Sequence, residues 1–104
     1  MNLQVERPNV ARPHDPLLKF IERSGLYEYL GPIHLALFSV LYMHWVSNGR
    51  MNPFNVRRKK LMELARIKST ATYHNKITEL ARWGFIRYIP SYHPVQGTTI
   101  HLLT

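Results

Sequence analysis

Residues 56–104 read VRRKKLMELARIKSTATYHNKITELARWGFIRYIPSYHPVQGTTIHLLT. Two segments of this stretch have apolar residues at the spacing that places them on one face of a helix. The first helix is expected over about residues 57–65. Ser69 is a good N-cap for a second helix over about 69–83, and Gly84 is suited to end that helix. The stretch therefore predicts two helices that are joined by a tight turn.

Two strands are expected after these helices, because residues 85–89 and 98–103 alternate apolar and polar side chains. The segment between them, PSYHPVQG, is too long for a tight hairpin and suits a wing. A short extended piece is expected at 54–56. Short strand, helix, turn, helix and hairpin is the order of a winged helix-turn-helix domain. The expected fold class is therefore mainly α with a small β-hairpin, with the wing at about 85–104.

The residues before this stretch are expected to be scaffold. Residues 1–15 are expected to form an N-terminal arm, and residues 16–104 a single winged-helix domain with an extra N-terminal helix. Asp15 and the proline after it mark the start of that helix, and Gly25 is expected to end it in the left-handed conformation. Residues 32–48 are apolar over most of a helix circumference, which predicts a central core helix. The side chains expected to face the core are Leu17, Phe20, Ile21, Ile33, Leu37, Phe38, Val40, Leu41, Tyr42, either His44 or Trp45, Leu61, Leu64, Ala65, Tyr73, Ile77, Leu80 and Ala81.

The positive charge of the chain is concentrated in its second half. The formal net charge is +8, and residues 1–49 contribute none of it, because four basic and four acidic residues cancel there. Residues 50–104 carry ten Lys and Arg against only two acids, Glu63 and Glu79. This asymmetry favours an anionic partner, most simply a phosphate backbone. No apolar run approaches the roughly 20 residues of a membrane span, so no membrane partner is expected.

The sequence offers little for catalysis or metal binding. The absence of cysteine excludes a disulfide framework and thiolate zinc sites, and it fits a cytoplasmic location. The six histidines include no pair at i,i+4 spacing, and no glycine-rich phosphate loop is present. His34 and His44 are expected to be core or helix-edge residues. His74 and His93 either contact DNA or have a plain surface or packing role. We therefore expect no enzyme, no cofactor, no metal and no small-molecule ligand.

Several sequence elements carry a resemblance to a known family. The segments STATYH (69–74), ITEL (77–80), GFI (84–86) and YIPSYHP (88–94) resemble those of small winged-helix transcriptional regulators of the Bacteroidetes type. More distantly, the core is similar to MarR-like regulators and to the N-terminal domains of phage replisome organisers. The resemblance covers roughly residues 16–104. It implies the winged-helix fold more firmly than it implies a biological role.

The expected partner is double-stranded DNA, with helix 69–83 in the major groove as the recognition helix. The wing would reach the backbone or the minor groove. Asn75 is the best candidate for base reading, because asparagine can recognise adenine with two hydrogen bonds. The side chains predicted to contact DNA are Arg57, Arg58, Lys59, Lys68, Ser69, Thr70, Thr72, His74, Asn75, Lys76, Thr78, Arg82, His93 and Gln96. Glu79 would repel phosphate and is expected at the periphery of this surface.

One feature departs from the usual winged-helix pattern. The helix that begins near Arg57 lacks the Ser, Thr or Asp that normally caps it, and Asn55 is the only capping residue nearby. Two explanations remain open. Either the helix begins earlier, or the cap is missing and a ligand anion takes its place.

A second hypothesis keeps the fold and changes the class of function. The chain could instead be a protein-interaction or replication-initiation module of a mobile element, with residues 1–30 and the central helix binding a partner. A homodimer through the N-terminal helical region, residues 16–30, is a further expectation. If the protein binds DNA as a bacterial transcriptional regulator, its location is cytoplasmic and nucleoid-associated.

Overall fold

The computed structural model describes residues 15–91 and 97–103. The described chain contains α1 (Pro16–Ser24), α2 (Pro32–Ser47), β1 (Phe54–Val56), α3 (Arg58–Leu64), α4 (Thr70–Arg82), β2 (Ile86–Ile89) and β3 (Thr98–Leu102). These four helices and a three-stranded antiparallel sheet form a small α+β domain. The expected arm, apart from Asp15, lies outside the described residues, as do His93 and Gln96.

The first helix begins as its sequence predicts. The Asp15 carboxylate accepts hydrogen bonds from the backbone N–H groups of Leu17 and Leu18, at 2.9 and 3.3 Å, and Pro16 occupies the first helical position. The second carboxylate oxygen of Asp15 accepts a hydrogen bond of 2.8 Å from the Tyr42 hydroxyl. This one side chain therefore both caps α1 and fastens it to α2.

The other three helices end in the same way. A residue in the left-handed conformation follows each of them, namely Gly49 (φ 72°), Arg66 (φ 61°) and Gly84 (φ 83°). The next backbone N–H then donates to the carbonyl five residues back, as in a Schellman motif. These bonds are Arg50 to Trp45, Ile67 to Met62 and Phe85 to Leu80, at 2.9, 2.8 and 3.0 Å. α1 ends at Gly25 as expected, but the expected left-handed conformation is wrong, because Gly25 has a right-handed φ of −67°.

The sheet has the order β1-β3-β2, and β3 is antiparallel to both neighbours. Phe54 pairs with Ile100, and Ile86 pairs with Leu102. Just before β1, the Asn52 side chain donates to the Leu102 carbonyl and accepts from the Leu102 N–H, each at 2.9 Å. Asn52 therefore connects the segment just before β1 to the end of β3 through two hydrogen bonds. The short strand and the two longer strands all lie where the sequence predicts them.

Aromatic packing dominates the core between α1, α2 and the segment after α4. The rings of Phe20 and Phe38 stack with their centroids 4.0 Å apart, and Phe85 meets Phe20 edge to face at 4.8 Å. All three side chains are buried. Such pairs add about 0.5–1.5 kcal/mol each to the stabilisation from buried area.

Three side chains expected in the core are exposed instead. Ile21, Ile33 and Leu64 retain 52%, 38% and 37% of their accessible surface. In α2 the buried residues are His34, Leu37, Phe38 and Leu41. Leu37, Phe38 and Leu41 are expected there, whereas His34 is buried in place of Ile33. Because α2 is apolar on nearly every side, its sequence does not indicate which side faces the core.

Candidate nucleic-acid interface

The first turn of α3 carries exposed cations and no side-chain cap. The helix begins at Arg58, and Arg57 occupies the N-cap position in an extended conformation. The explanation that the helix begins earlier is therefore wrong. Asn55 is engaged elsewhere, because its side-chain oxygen accepts a hydrogen bond of 3.0 Å from the Thr99 hydroxyl across the β1–β3 pair. Arg57, Arg58 and Lys59 all project into solvent.

The outer face of α4 is polar, and the opposite face is anchored in the core. Ser69 caps the helix by accepting a hydrogen bond of 3.2 Å from the Thr72 N–H. Tyr73, Ile77 and Leu80 are buried as expected. The exposed residues of the helix are Thr70, Ala71, His74, Asn75, Thr78 and Arg82, while Thr72, Lys76 and Glu79 are half-buried. A shallow depression of about 450 Å³ lies on this face, between His74 and Arg82.

A hydrogen bond between α2 and α4 holds this face in position. The His34 ring nitrogen Nε2 lies 2.7 Å from Glu79 Oε1, and Nδ1 lies 2.9 Å from the Gly31 backbone nitrogen. Since a backbone N–H can only donate, Nδ1 accepts and Nε2–H donates to the carboxylate. His34 is buried, and Lys76 Nζ lies 3.6 Å from the same carboxylate oxygen.

Glu79 makes a contact that the sequence does not predict. It is half-buried and binds α2, and it lines the depression on the outer face of α4 rather than lying at its periphery. The hydrogen bond from His34 lowers the pKa of Glu79, with a further contribution from Lys76, although burial acts in the opposite direction. The pairing is not visible in the sequence, because 45 residues separate the two partners.

A cationic cleft of about 560 Å³ lies between α3, α4 and the sheet. Its wall contains three cations from the start of α3, Arg57, Arg58 and Lys59, together with His74 from α4. Pro90 and Thr98 line it from the ends of β2 and β3. The described cleft therefore brings the start of α3 and one predicted residue of α4, His74, next to the ends of β2 and β3.

Gly97 sets the distance between the sheet and the start of α3. It has a φ of +74°, and a Cβ atom built on it would lie 2.8 Å from the Val56 carbonyl oxygen and 3.3 Å from the Arg57 nitrogen. Both the backbone conformation and this close approach require glycine. The end of the β2–β3 loop is therefore packed directly against the backbone that carries the cations.

Tyr73 has a buried hydroxyl group, and the sequence does not show that this group is buried. Its side chain is 1% exposed, and its hydroxyl has no hydrogen-bond partner among the described residues. Burial is the main reason that the pKa of Tyr73 rises to about 12, and the nearby Tyr88 adds to the rise. The Thr98 side chain and the charge of Arg58 oppose it; Thr98 is close to the hydroxyl, but the two groups do not meet the geometry of a hydrogen bond. From the sequence, a tyrosine on the apolar face of a helix is predicted to be a core residue. Only the hydroxyl without a hydrogen bond indicates a further role for Tyr73.

The structure brings most of the predicted site residues together. His74 borders both the cleft and the depression on α4, which also includes Asn75, Lys76, Thr78 and Arg82. Thr70 shares a further depression with Arg58 and Lys59. The remaining predicted residues that the structure describes, Lys68, Ser69 and Thr72, belong to the turn before α4 and to its first turn.

No family model, curated protein or solved structure matches the chain. Among the described residues, no group of three or more His, Cys, Asp or Glu side chains is arranged to hold a metal ion. None of the described helices is long and apolar enough to cross a membrane.

Proposed function

We propose that the chain is a winged helix-turn-helix protein that binds double-stranded DNA and regulates transcription. In this proposal α3 and α4 form the helix-turn-helix, and the segment containing β2 and β3 forms the wing. The three-stranded sheet and the order of elements support this assignment, as does the resemblance of the sequence to small winged-helix regulators of the Bacteroidetes type.

The observation that carries the proposal is the continuity of the surface around His74. On one side of this residue lies the polar outer face of α4, and on the other lies the cationic cleft. A helix of 13 residues is about 20 Å long, and the major groove of B-DNA is wide enough to admit it. With α4 in the groove, the cations of the cleft would meet the adjoining phosphates.

The predicted side chains divide into two groups in this arrangement. Asn75 and Thr78 are short, exposed and near the middle of α4, which suits contact with base edges. Arg57, Arg58 and Lys59 suit contact with phosphates, and so do Lys68 and Arg82 at the two ends of α4. Lys76 is a weaker candidate, because its ammonium group is near Glu79. The proposed contacts of His93 and Gln96 remain predictions.

The proposal is tested by measuring affinity for a mixed-sequence duplex at several salt concentrations. Each phosphate contact contributes about 0.9 to the slope of log affinity against log salt. The variant Arg57→Ala/Arg58→Ala should therefore bind more weakly and reduce the slope by about 1.8. Lys19→Ala in α1, which removes a cation outside the cleft, should leave the slope unchanged. If the double variant keeps the wild-type affinity and slope, the proposed docking is wrong.

A second candidate function is binding of a protein partner, including a second copy of the chain. Its support is the run of exposed apolar side chains in and after α1, where Ile21, Leu26 and Tyr29 retain 52%, 79% and 77% of their surface. Light scattering at high protein concentration should give a mass above the 12.3 kDa of one chain if this surface forms a homodimer. Absence of duplex binding even at low salt would favour a protein-interaction module over a DNA-binding one.

A further inference from the structure

The Tyr73 hydroxyl is buried and makes no hydrogen bond of acceptable geometry, although the Thr98 side chain lies near it. Leaving such a group unsatisfied costs about 1–3 kcal/mol relative to a hydrogen-bonded one. A phenylalanine would fill the same volume of the core without this cost. The unpartnered hydroxyl is therefore explained most simply by an acceptor that is brought by a ligand.

The groups that surround the Tyr73 hydroxyl line the cleft. Three groups affect its ionisation besides burial, namely Tyr88, Thr98 and Arg58, and all three line the cleft. Tyr73 itself is also part of the cleft wall. The acceptor that this hydroxyl lacks would therefore come from the cleft and not from the core.

The charges around the cleft define the chemistry of that acceptor. Arg57, Arg58 and Lys59 line it, and no acidic side chain does so among the described lining residues. The planar guanidinium group of arginine matches the geometry of phosphate oxygens and can bind them with two parallel hydrogen bonds. An anionic oxygen would satisfy both the cations and the tyrosine O–H.

We propose that the cleft binds one phosphate group, with the Tyr73 hydroxyl donating to one of its oxygens and Arg57 and Arg58 donating to the others. The inference rests on the proposed function when the phosphate belongs to a DNA backbone. A free phosphate compound offers the same chemistry and is the other source of the group. In either case Tyr73 is a ligand-binding residue, and its burial gives the phosphate a fixed position relative to α4.

The variant Tyr73→Phe tests this directly, because it removes only the hydroxyl. Hydrogen bonds to charged groups are worth enough that duplex affinity should fall about tenfold. The salt slope should stay at its wild-type value, because a neutral hydroxyl releases no counterions, whereas Arg58→Ala should lower the slope. The melting temperature of Tyr73→Phe should equal or exceed that of the wild type, because an unsatisfied buried group has been removed.

Tyr42→Phe is the matched control. It also removes one tyrosine hydroxyl, but this hydroxyl donates to Asp15 and lies outside the cleft. It should lower the melting temperature and leave duplex affinity unchanged. An affinity of Tyr73→Phe within twofold of the wild type would overturn the inference and leave the proposed function intact. A clear fall in its melting temperature would also overturn it, because the hydroxyl would then be a structural group.

A second arm of the experiment separates the two sources of phosphate. Binding of inorganic phosphate is followed by calorimetry for the wild type and for Tyr73→Phe. If the wild type binds no duplex at low salt, the proposed function fails. Phosphate binding that Tyr73→Phe weakens would then support the cleft as a site for a free phosphate compound. Absence of binding to both duplex and inorganic phosphate would overturn the inference together with the proposed function.

Discussion

At the scale of single residues, Glu79 shows how a surface acid can position a helix. Its carboxylate joins α4 to the buried His34 of α2, and Lys76 neutralises part of its charge. Glu79 lines the same depression as Asn75 and Thr78, but its carboxylate is already bound by His34 and lies near Lys76. The same bond fixes the rotation of α4 about its axis, so it determines which side chains face outward.

The lowered pKa of Glu79 predicts a specific loss of stability in acid. Because the folded protein holds this proton less tightly than the unfolded chain, Glu79 stabilises the fold above its ordinary pKa of 4.5. That contribution is lost as the pH falls through the folded-state pKa. Glu79→Ala should lower the free energy of unfolding at pH 7 by about 1 kcal/mol, a value reduced by the partial exposure of the carboxylate.

Urea unfolding at pH 7 and at pH 3 measures this effect. The difference in stability between the wild type and Glu79→Ala should shrink as the pH is lowered. Lys19→Ala serves as a control for the general effect of removing a charged side chain. A difference that is the same at both pH values would show that the carboxylate charge does not contribute to the contact.

Asn75 carries the clearest prediction for sequence recognition. It is exposed near the middle of α4, so Asn75→Ala should change the stability of the fold by less than about 0.5 kcal/mol. We expect it to lose about 1–3 kcal/mol of discrimination at one base pair. Affinities for a selected duplex and for its single-base variants measure this loss. Equal weakening on every duplex would assign Asn75 to positioning rather than to base reading.

At the scale of elements, the turn between α3 and α4 has a residue with a side chain at the position where the ends of α2 and α4 have glycine. Gly49 and Gly84 supply the left-handed residue after α2 and α4, but Arg66 supplies it after α3. A residue with a Cβ atom adopts this conformation at a cost of roughly 1–2 kcal/mol. The turn is nevertheless complete, because Ile67 makes the Schellman hydrogen bond to Met62 at 2.8 Å and is itself buried.

Arg66→Gly should therefore raise the free energy of unfolding, by about 0.5–1 kcal/mol after allowance for the greater freedom of glycine in the unfolded chain. Thermal or urea unfolding measures the change. Gly84→Ala is the converse control, since nothing lies within 4 Å of the added Cβ and only its φ of +83° opposes the substitution. It should lower stability by a similar amount. A destabilised Arg66→Gly would mean that the arginine side chain makes a compensating contact.

At the scale of the whole molecule, the sequence is sufficient to predict the order of elements but not how they meet. Ser69, Gly84 and the alternating strands act locally, so α4, β2 and β3 lie where the pattern predicts them. The contacts between distant segments leave no local pattern. His34 with Glu79 is one example, and the approach of Gly97 to Val56 is another. The cationic residues of the candidate site could be predicted from charge, whereas the Tyr73 hydroxyl could be recognised only from its surroundings.

The packing of Trp83 has a practical consequence for spectroscopy. Its indole contacts the rings of His34 and Tyr27, with centroids 4.9 and 5.2 Å away, at the C-terminal end of α4. The only other tryptophan is Trp45, which packs beside Tyr42. A Trp45→Phe variant would therefore contain a single tryptophan, at the junction of α4 with the rest of the domain. Its emission would report, without an attached dye, whether α4 stays docked when a ligand binds.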